Sequence, residues 1–134
     1  MNTPHEAIAK KCLQASEQGT MTFPEIVGSL IEAGFESYLI DFRRAQATYY
    51  LPSGENVEVP THRSGVAIAA AFDATAIQAA IREAQQLVPG YTYLGFCEKV
   101  QRAGCTGYIV SFSGRRALYF GRTGETHVEL FPQD

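Results

Sequence analysis

The chain has 134 residues, of which 46% are hydrophobic and 19% charged, the composition of one globular domain with apolar mass enough for a core. A formal net charge of −3 leaves no basic footprint, which disfavours a nucleic-acid partner. Three cysteines without a CxxC pair fit a reducing compartment better than a disulfide framework or a zinc site.

Thr3-Pro4-His5-Glu6 reads as a helix start, with a Thr cap, Pro in the first turn and Glu placed for a capping box. Ile8, Cys12 and Ala15 form its apolar stripe, and Gly19 stops it. The N-terminal residues lack the apolar run of a signal peptide and no stretch approaches a membrane span. The expectation is a soluble, cytoplasmic protein with no membrane contact.

Thr22-Phe23-Pro24-Glu25 opens a second helix, whose face comprises Phe23, Ile26, Val27, Leu30 and Ile31 and which Gly34 stops. Three strands follow, at 38–42, 47–51 and 56–59, with Pro52-Ser53-Gly54 in one turn. Residues 61–72 form a connection. Asp73 then caps a helix with Ile77, Ala80, Ile81, Ala84 and Leu87 on one face, closed by Pro89-Gly90. A fourth helix carries Tyr93, Phe96, Cys97 and Val100 and stops at Gly104. Strands at 108–112, 116–120 and 126–130 complete the chain.

Residues 22–55 slid onto 92–125 without a gap give nine identities: Thr22/Thr92, Ala33/Ala103, Gly34/Gly104, Tyr38/Tyr108, Phe42/Phe112, Ala47/Ala117, Tyr49/Tyr119, Gly54/Gly124 and Glu55/Glu125. Unrelated segments of average composition would give roughly two. Beyond Glu55, one extra residue in the second copy aligns Val57-Glu58-Val59 with Val128-Glu129-Leu130, and the first helices align as Ile8/Ile77 and Cys12/Ile81. The expectation is a single α+β domain over 1–134, built by internal duplication of a helix-helix-three-strand unit. Repeat one spans 3–60, the connection 61–72 and repeat two 73–132, with helices packed on an antiparallel sheet. Tyr38, Ile40, Phe42, Tyr108, Val110 and Phe112 should meet the helices.

The Thr-Phe-Pro-Glu opening, the Ala-Gly helix stop, the Tyr-Tyr of the second strand and the closing Gly-Arg-Thr-Gly-Glu-Thr-His-Val-Glu resemble a small bacterial and prophage family. It is typified by the Escherichia coli proteins YdfO and YbcV, is of unknown function, and is sometimes labelled phage envelope protein. The resemblance runs from about Gln18 to Pro132 and implies the YdfO-like α+β fold. It carries over no catalytic or binding residue.

Four groups stand out chemically. Glu55 and Glu125 each follow a Ser/Thr-Gly turn, where they would face each other if the repeats met there, or simply accept turn hydrogen bonds. Glu125, His127 and Glu129 alternate along one strand, a spacing that suits a metal or a Glu-oriented imidazole. The plainer reading is the solvated face of an edge strand, because charge protects edges. Arg43, Arg44, Arg115, Arg116 and Arg122 lie near hairpin turns, as a phosphate rim or as solubility residues. Tyr38, Tyr49, Tyr50, Tyr108, Tyr119 and Phe120 line a pocket or pack the core, and Cys105 is expected near the surface.

No nucleophile elbow, phosphate loop or dinucleotide fingerprint is present. These signals point away from an enzyme, with no catalytic residue, metal or cofactor assigned. They favour a binding or regulatory module acting through protein contacts, in a prophage- or stress-related setting, with a protein partner or self-association left open. The alternative is a small-molecule or metal-binding protein, hydrolases included, whose ligand-binding residues are His127, Glu125, Glu55, Arg115 and Arg116.

Overall fold

The computed structural model describes residues 4–132. Helix α1 spans Pro4–Gln18, and the expected Thr3 cap lies outside the described residues. Helix α2, Phe23–Glu32, opens on a complete capping box: Thr22 Oγ1 accepts from Glu25 N, and Glu25 Oε1 accepts from Thr22 N at 2.8 Å. The bonds that Glu25 Oε1 accepts from Thr22 N and from Thr22 Oγ1 hold the Glu25 carboxyl below its ordinary range. Strands β1 (Ser37–Asp41), β2 (Gln46–Tyr50) and β3 (Asn56–Pro60) form a meander. Helices α3 (Ala74–Gln86) and α4 (Tyr93–Arg102) follow, capped by Asp73 and Thr92. Strands β4 (Cys105–Ser111), β5 (Arg116–Gly121) and β6 (Thr126–Leu130) form a second meander.

The two meanders join in one antiparallel six-stranded sheet of order β3-β2-β1-β4-β5-β6. The join is β1 against β4, with Leu39 opposite Ile109. Hydrogen bonds flank it in reciprocal fashion: Phe42 N donates to Thr106 O, and Phe112 N to Glu36 O, each at 3.0 Å. The element order of the first half thus recurs in the second, and both meet on a common central pair.

All four helices contribute to one core on one face of the sheet. Tyr38, Ile40, Tyr108, Val110 and Phe112 are buried there as the alternation predicts, with Phe42 partly buried beside them. Leu30, Ile77 and Val100 reach it from the helices with no exposed surface. Four particulars differ from the sequence-based expectation. The buried triad of α1, Ala9, Cys12 and Leu13, matches the spacing of Ile77, Ala80 and Ile81, one residue off the expected alignment. Leu87 leaves the α3 face altogether, because it ends the helix in the left-handed region (φ 48) and is 58% exposed. Phe23 and Ile31 also stand out from the α2 face as exposed residues. Cys105, expected near the surface, is fully buried, and its bulged strand packs it inside.

The connection 61–72 leaves the first half through Thr61 N to Ala45 O and His62 N to Glu17 Oε2, and its later part packs on the second half. Ala69 N donates to Gln101 O, Asp73 N to Ala103 O, and Arg122 Nη1 to Ile68 O at 3.3 Å. It passes so close to the α4 stop that a Cβ on Gly104 would sit 2.1 Å from Ala71 O. At the equivalent Gly34 the nearest such neighbour is a Leu51 methyl at 4.0 Å.

Candidate functional site

Strand order and direction separate most of the candidate residues. Because β3 and β6 are opposite edges, Glu55 and Glu125 lie at diagonally opposite corners, across five strand spacings or ~24 Å. Each is engaged by its own turn: Ser53 Oγ donates to Glu55 Oε1 at 3.1 Å, and Thr123 Oγ1 to Glu125 Oε1 at 2.7 Å. The two carboxylates do not meet, and turn capping accounts for both. The arginines are also split. Arg43 and Arg44 sit in the β1–β2 turn, whereas Arg115 and Arg116 sit in the β4–β5 turn at the other end of the sheet. Arg44 faces Glu58 at 3.8 Å, Arg116 Nε donates to Gly114 O, and Arg122 holds the connection. No phosphate rim forms.

His127 behaves differently from the expectation of a solvated edge face. It pairs with buried Tyr119 across β5–β6, and its ring lies 6.4 Å from the Tyr119 ring centroid. Glu129 pairs with buried Ala117, so both side chains point toward the helices. They remain 17% and 25% exposed, and His127 Nε2 lies 3.2 Å from Glu129 Oε1. Glu125 is turned to Thr123 and does not join them.

The register also corrects the alignment. Tyr49 pairs with Val57 and Tyr119 with His127, so β3 and β6 correspond without an extra residue. The hairpin turns agree: Leu51 N donates to Glu55 O and Gly121 N to Glu125 O. His127 and Glu129 therefore occupy the inward places that Val57 and Val59 fill in the first half. Among the described residues, no three His, Cys, Asp or Glu side chains converge as a metal-holding group.

The aromatic residues divide by face. Tyr38, Tyr49, Tyr108 and Tyr119 form a chain of ring contacts in the core, with burial pushing their hydroxyls up from the ordinary range. Tyr93 Oη and Tyr108 Oη lie 2.7 Å apart, a part-buried pair that no sequence motif signals. Tyr50 and Phe120 fall on the opposite face. A cleft of about 240 Å³ lies between α3 and α4, but its Lys99 and Glu83 pair with each other and its Thr92 hydroxyl caps Gly95 N. A second void, about 20 Å³ beside Cys97 and Gln101, has room for little more than a water.

The family described as "Protein of unknown function (DUF1398)" matches residues 11–129, most of the chain. The chain belongs to that family. No curated protein matches it. No helix among the described residues of this DUF1398 protein is long and apolar enough to cross a membrane.

The sheet face away from the helices is the remaining surface of note. Register places Leu39, Ile109, Leu118 and Val128 side by side in one row across β1, β4, β5 and β6. Ile109 and Val128 are each 41% exposed, and Leu130 beside them is 56% exposed. The signal was present in the sequence as runs apolar at both strand parities, Tyr-Leu-Ile and Tyr-Ile-Val, which alternation alone assigns to a single face.

Proposed function

We propose that the protein is a non-enzymatic, single-domain contact module that binds another protein through the uncovered face of its sheet. The apolar row Leu39–Ile109–Leu118–Val128 carries this reading, since contiguous exposed apolar surface marks interaction sites. The scattered, self-satisfied polar candidates support it further. Internal duplication of a helix-helix-three-strand unit, a cytoplasmic location, the YdfO/YbcV-like relationship and a prophage- or stress-related setting belong to the same proposal. They rest on the sequence matches already given.

Photo-cross-linking residues placed at Ile109 and at Glu58 in the protein within its own cells test the reading. A discrete adduct of one mass is expected at position 109, absent at 58 and lost in Leu118→Asp. Equal labelling at both positions would overturn it. So would a specific rise in Tm with a metal, nucleotide or metabolite, because binding to the folded state raises Tm by mass action. That second outcome would favour a ligand site on the half-buried His127–Glu129 pair.

A further inference from the structure

Hydrogen bonds at the ends of each edge strand fix which way its peptide groups point. At β6, Gly121 N donates to Glu125 O and Phe131 N donates to Arg115 O, so His127 and Glu129 turn their peptide groups toward β5. Thr126, Val128 and Leu130 therefore direct their N–H and C=O groups out of the sheet. At β3, Leu51 N to Glu55 O and Thr61 N to Ala45 O leave Asn56, Glu58 and Pro60 pointing outward by the same logic.

The two edges are chemically unlike. On β3, Pro60 has no N–H to offer, and the Glu58 carboxylate is held by Arg44 and Gln46 on the outer side. Proline and charge are the ordinary protections of a sheet edge. On β6 the outward residues are uncharged, and each supplies one donor and one acceptor. Its charged residues lie on the α3 side.

We infer that β6 is a homodimerisation edge, paired antiparallel with β6 of a second copy about a twofold axis at Val128. One antiparallel register pairs all three outward residues: Thr126 opposite Leu130 of the second copy, Val128 opposite Val128, and Leu130 opposite Thr126. Three such pairs, each exchanging two bonds, give six hydrogen bonds. The same register sets His127 opposite Glu129 of the second copy, and by symmetry Glu129 opposite His127, on one face at the ~4.5–5.5 Å of direct cross-strand neighbours. An unrelated strand would supply the hydrogen bonds but not these reciprocal imidazole–carboxylate pairs, which is why the occupant is a second copy. On the outer face the apolar row continues through Val128 into the row of the second copy. The inference rests on the contact-module reading and names one partner for it. A five-residue edge buries less than the ~1,200 Å² of a standard interface, so association grows with concentration.

Cysteine cross-linking reads the register directly. Paired Cα atoms in this geometry stand ~5.5 Å apart, within disulfide reach. The native thiols Cys12, Cys97 and Cys105 are buried and do not compete. Under mild oxidation Val128→Cys is expected to form a covalent dimer, and Glu58→Cys is not. Thr126→Cys and Leu130→Cys should each give no covalent dimer alone and cross-link when mixed. Val128→Pro removes an outward donor that β5 does not use, so sedimentation should show loss of the dimer while far-UV circular dichroism stays that of the folded chain. Dimer surviving Val128→Pro, cross-linking by Glu58→Cys, or a chain monomeric at every concentration overturns the inference. A monomer that still gives the adduct at Ile109 would sink the edge dimer and leave the contact reading standing. A register-specific dimer without that adduct would do the reverse.

Discussion

The halves of this sheet share turns, caps and register yet differ at their borders. In the first, β3 closes the core with Val57 and Val59, guards its edge with Glu58 and Pro60, and leaves α2 with Ile31 in solvent. In the second, β6 brings His127 and Glu129 to the same inward places and exposes Val128 and Leu130. The connection covers α4, so Gln101, the counterpart of Ile31, is buried and bonds Cys97 O and Ser64 Oγ. Matching strand registers thus carry a border guarded by charge and proline on one side and one with uncharged outward residues on the other. Side chains at a few equivalent positions decide which.

Titration should show the largest contrast. Burial pushes the Cys97 thiol up to about 12 and Cys105 up to about 11, whereas Cys12 in the first half is raised by burial that the neighbouring Lys11 charge opposes. A thiol raised in the folded state is deprotonated first in the unfolded chain. Its stabilisation is therefore complete below about pH 9 and is lost as pH climbs toward about 11–12. Urea midpoints should fall steeply through that window, and Cys97→Ala or Cys105→Ala should flatten the slope more than Cys12→Ala. A midpoint that stays level would break the contrast.

Glycine substitution gives the next effect. Gly34→Ala strains only a left-handed backbone (φ 99), costing about 1–2 kcal/mol. Gly104→Ala adds a collision with the Ala71 carbonyl and is expected to cost roughly 3–5 kcal/mol in denaturant unfolding. Equal losses would mean that the connection yields freely. The smallest effect comes from exchanging the border residues. Val57→His places an unpaired polar ring in a sealed site and should cost about 1–3 kcal/mol, while His127→Val should stay within about 0.5 kcal/mol. If His127→Val proves the costlier, the imidazole is integral to the second half.

Local chemistry made much of this legible. Thr22 with Glu25, Asp73, Gly54 and Gly124 announce caps and turns because their interactions span three residues or fewer. The β1–β4 join was not legible, because pairing between strands so far apart in sequence leaves no local trace. For the same reason Glu55 and Glu125, equivalent in sequence, ended at opposite corners. The face that His127 takes is not legible, because a charged alternation on an edge strand suits either face and only its pairing with Tyr119 decides.

The central join has a kinetic consequence. Leu39 finds Ile109 only after the intervening chain has been made and its ends brought together, whereas each hairpin closes within a few residues. Until β4 arrives, β1 is itself a bare margin, with Tyr38 and Ile40 uncovered on their β4 side. Folding speed is then governed by one long-range closure, and the interval before it is when the nascent protein is most exposed to misassembly.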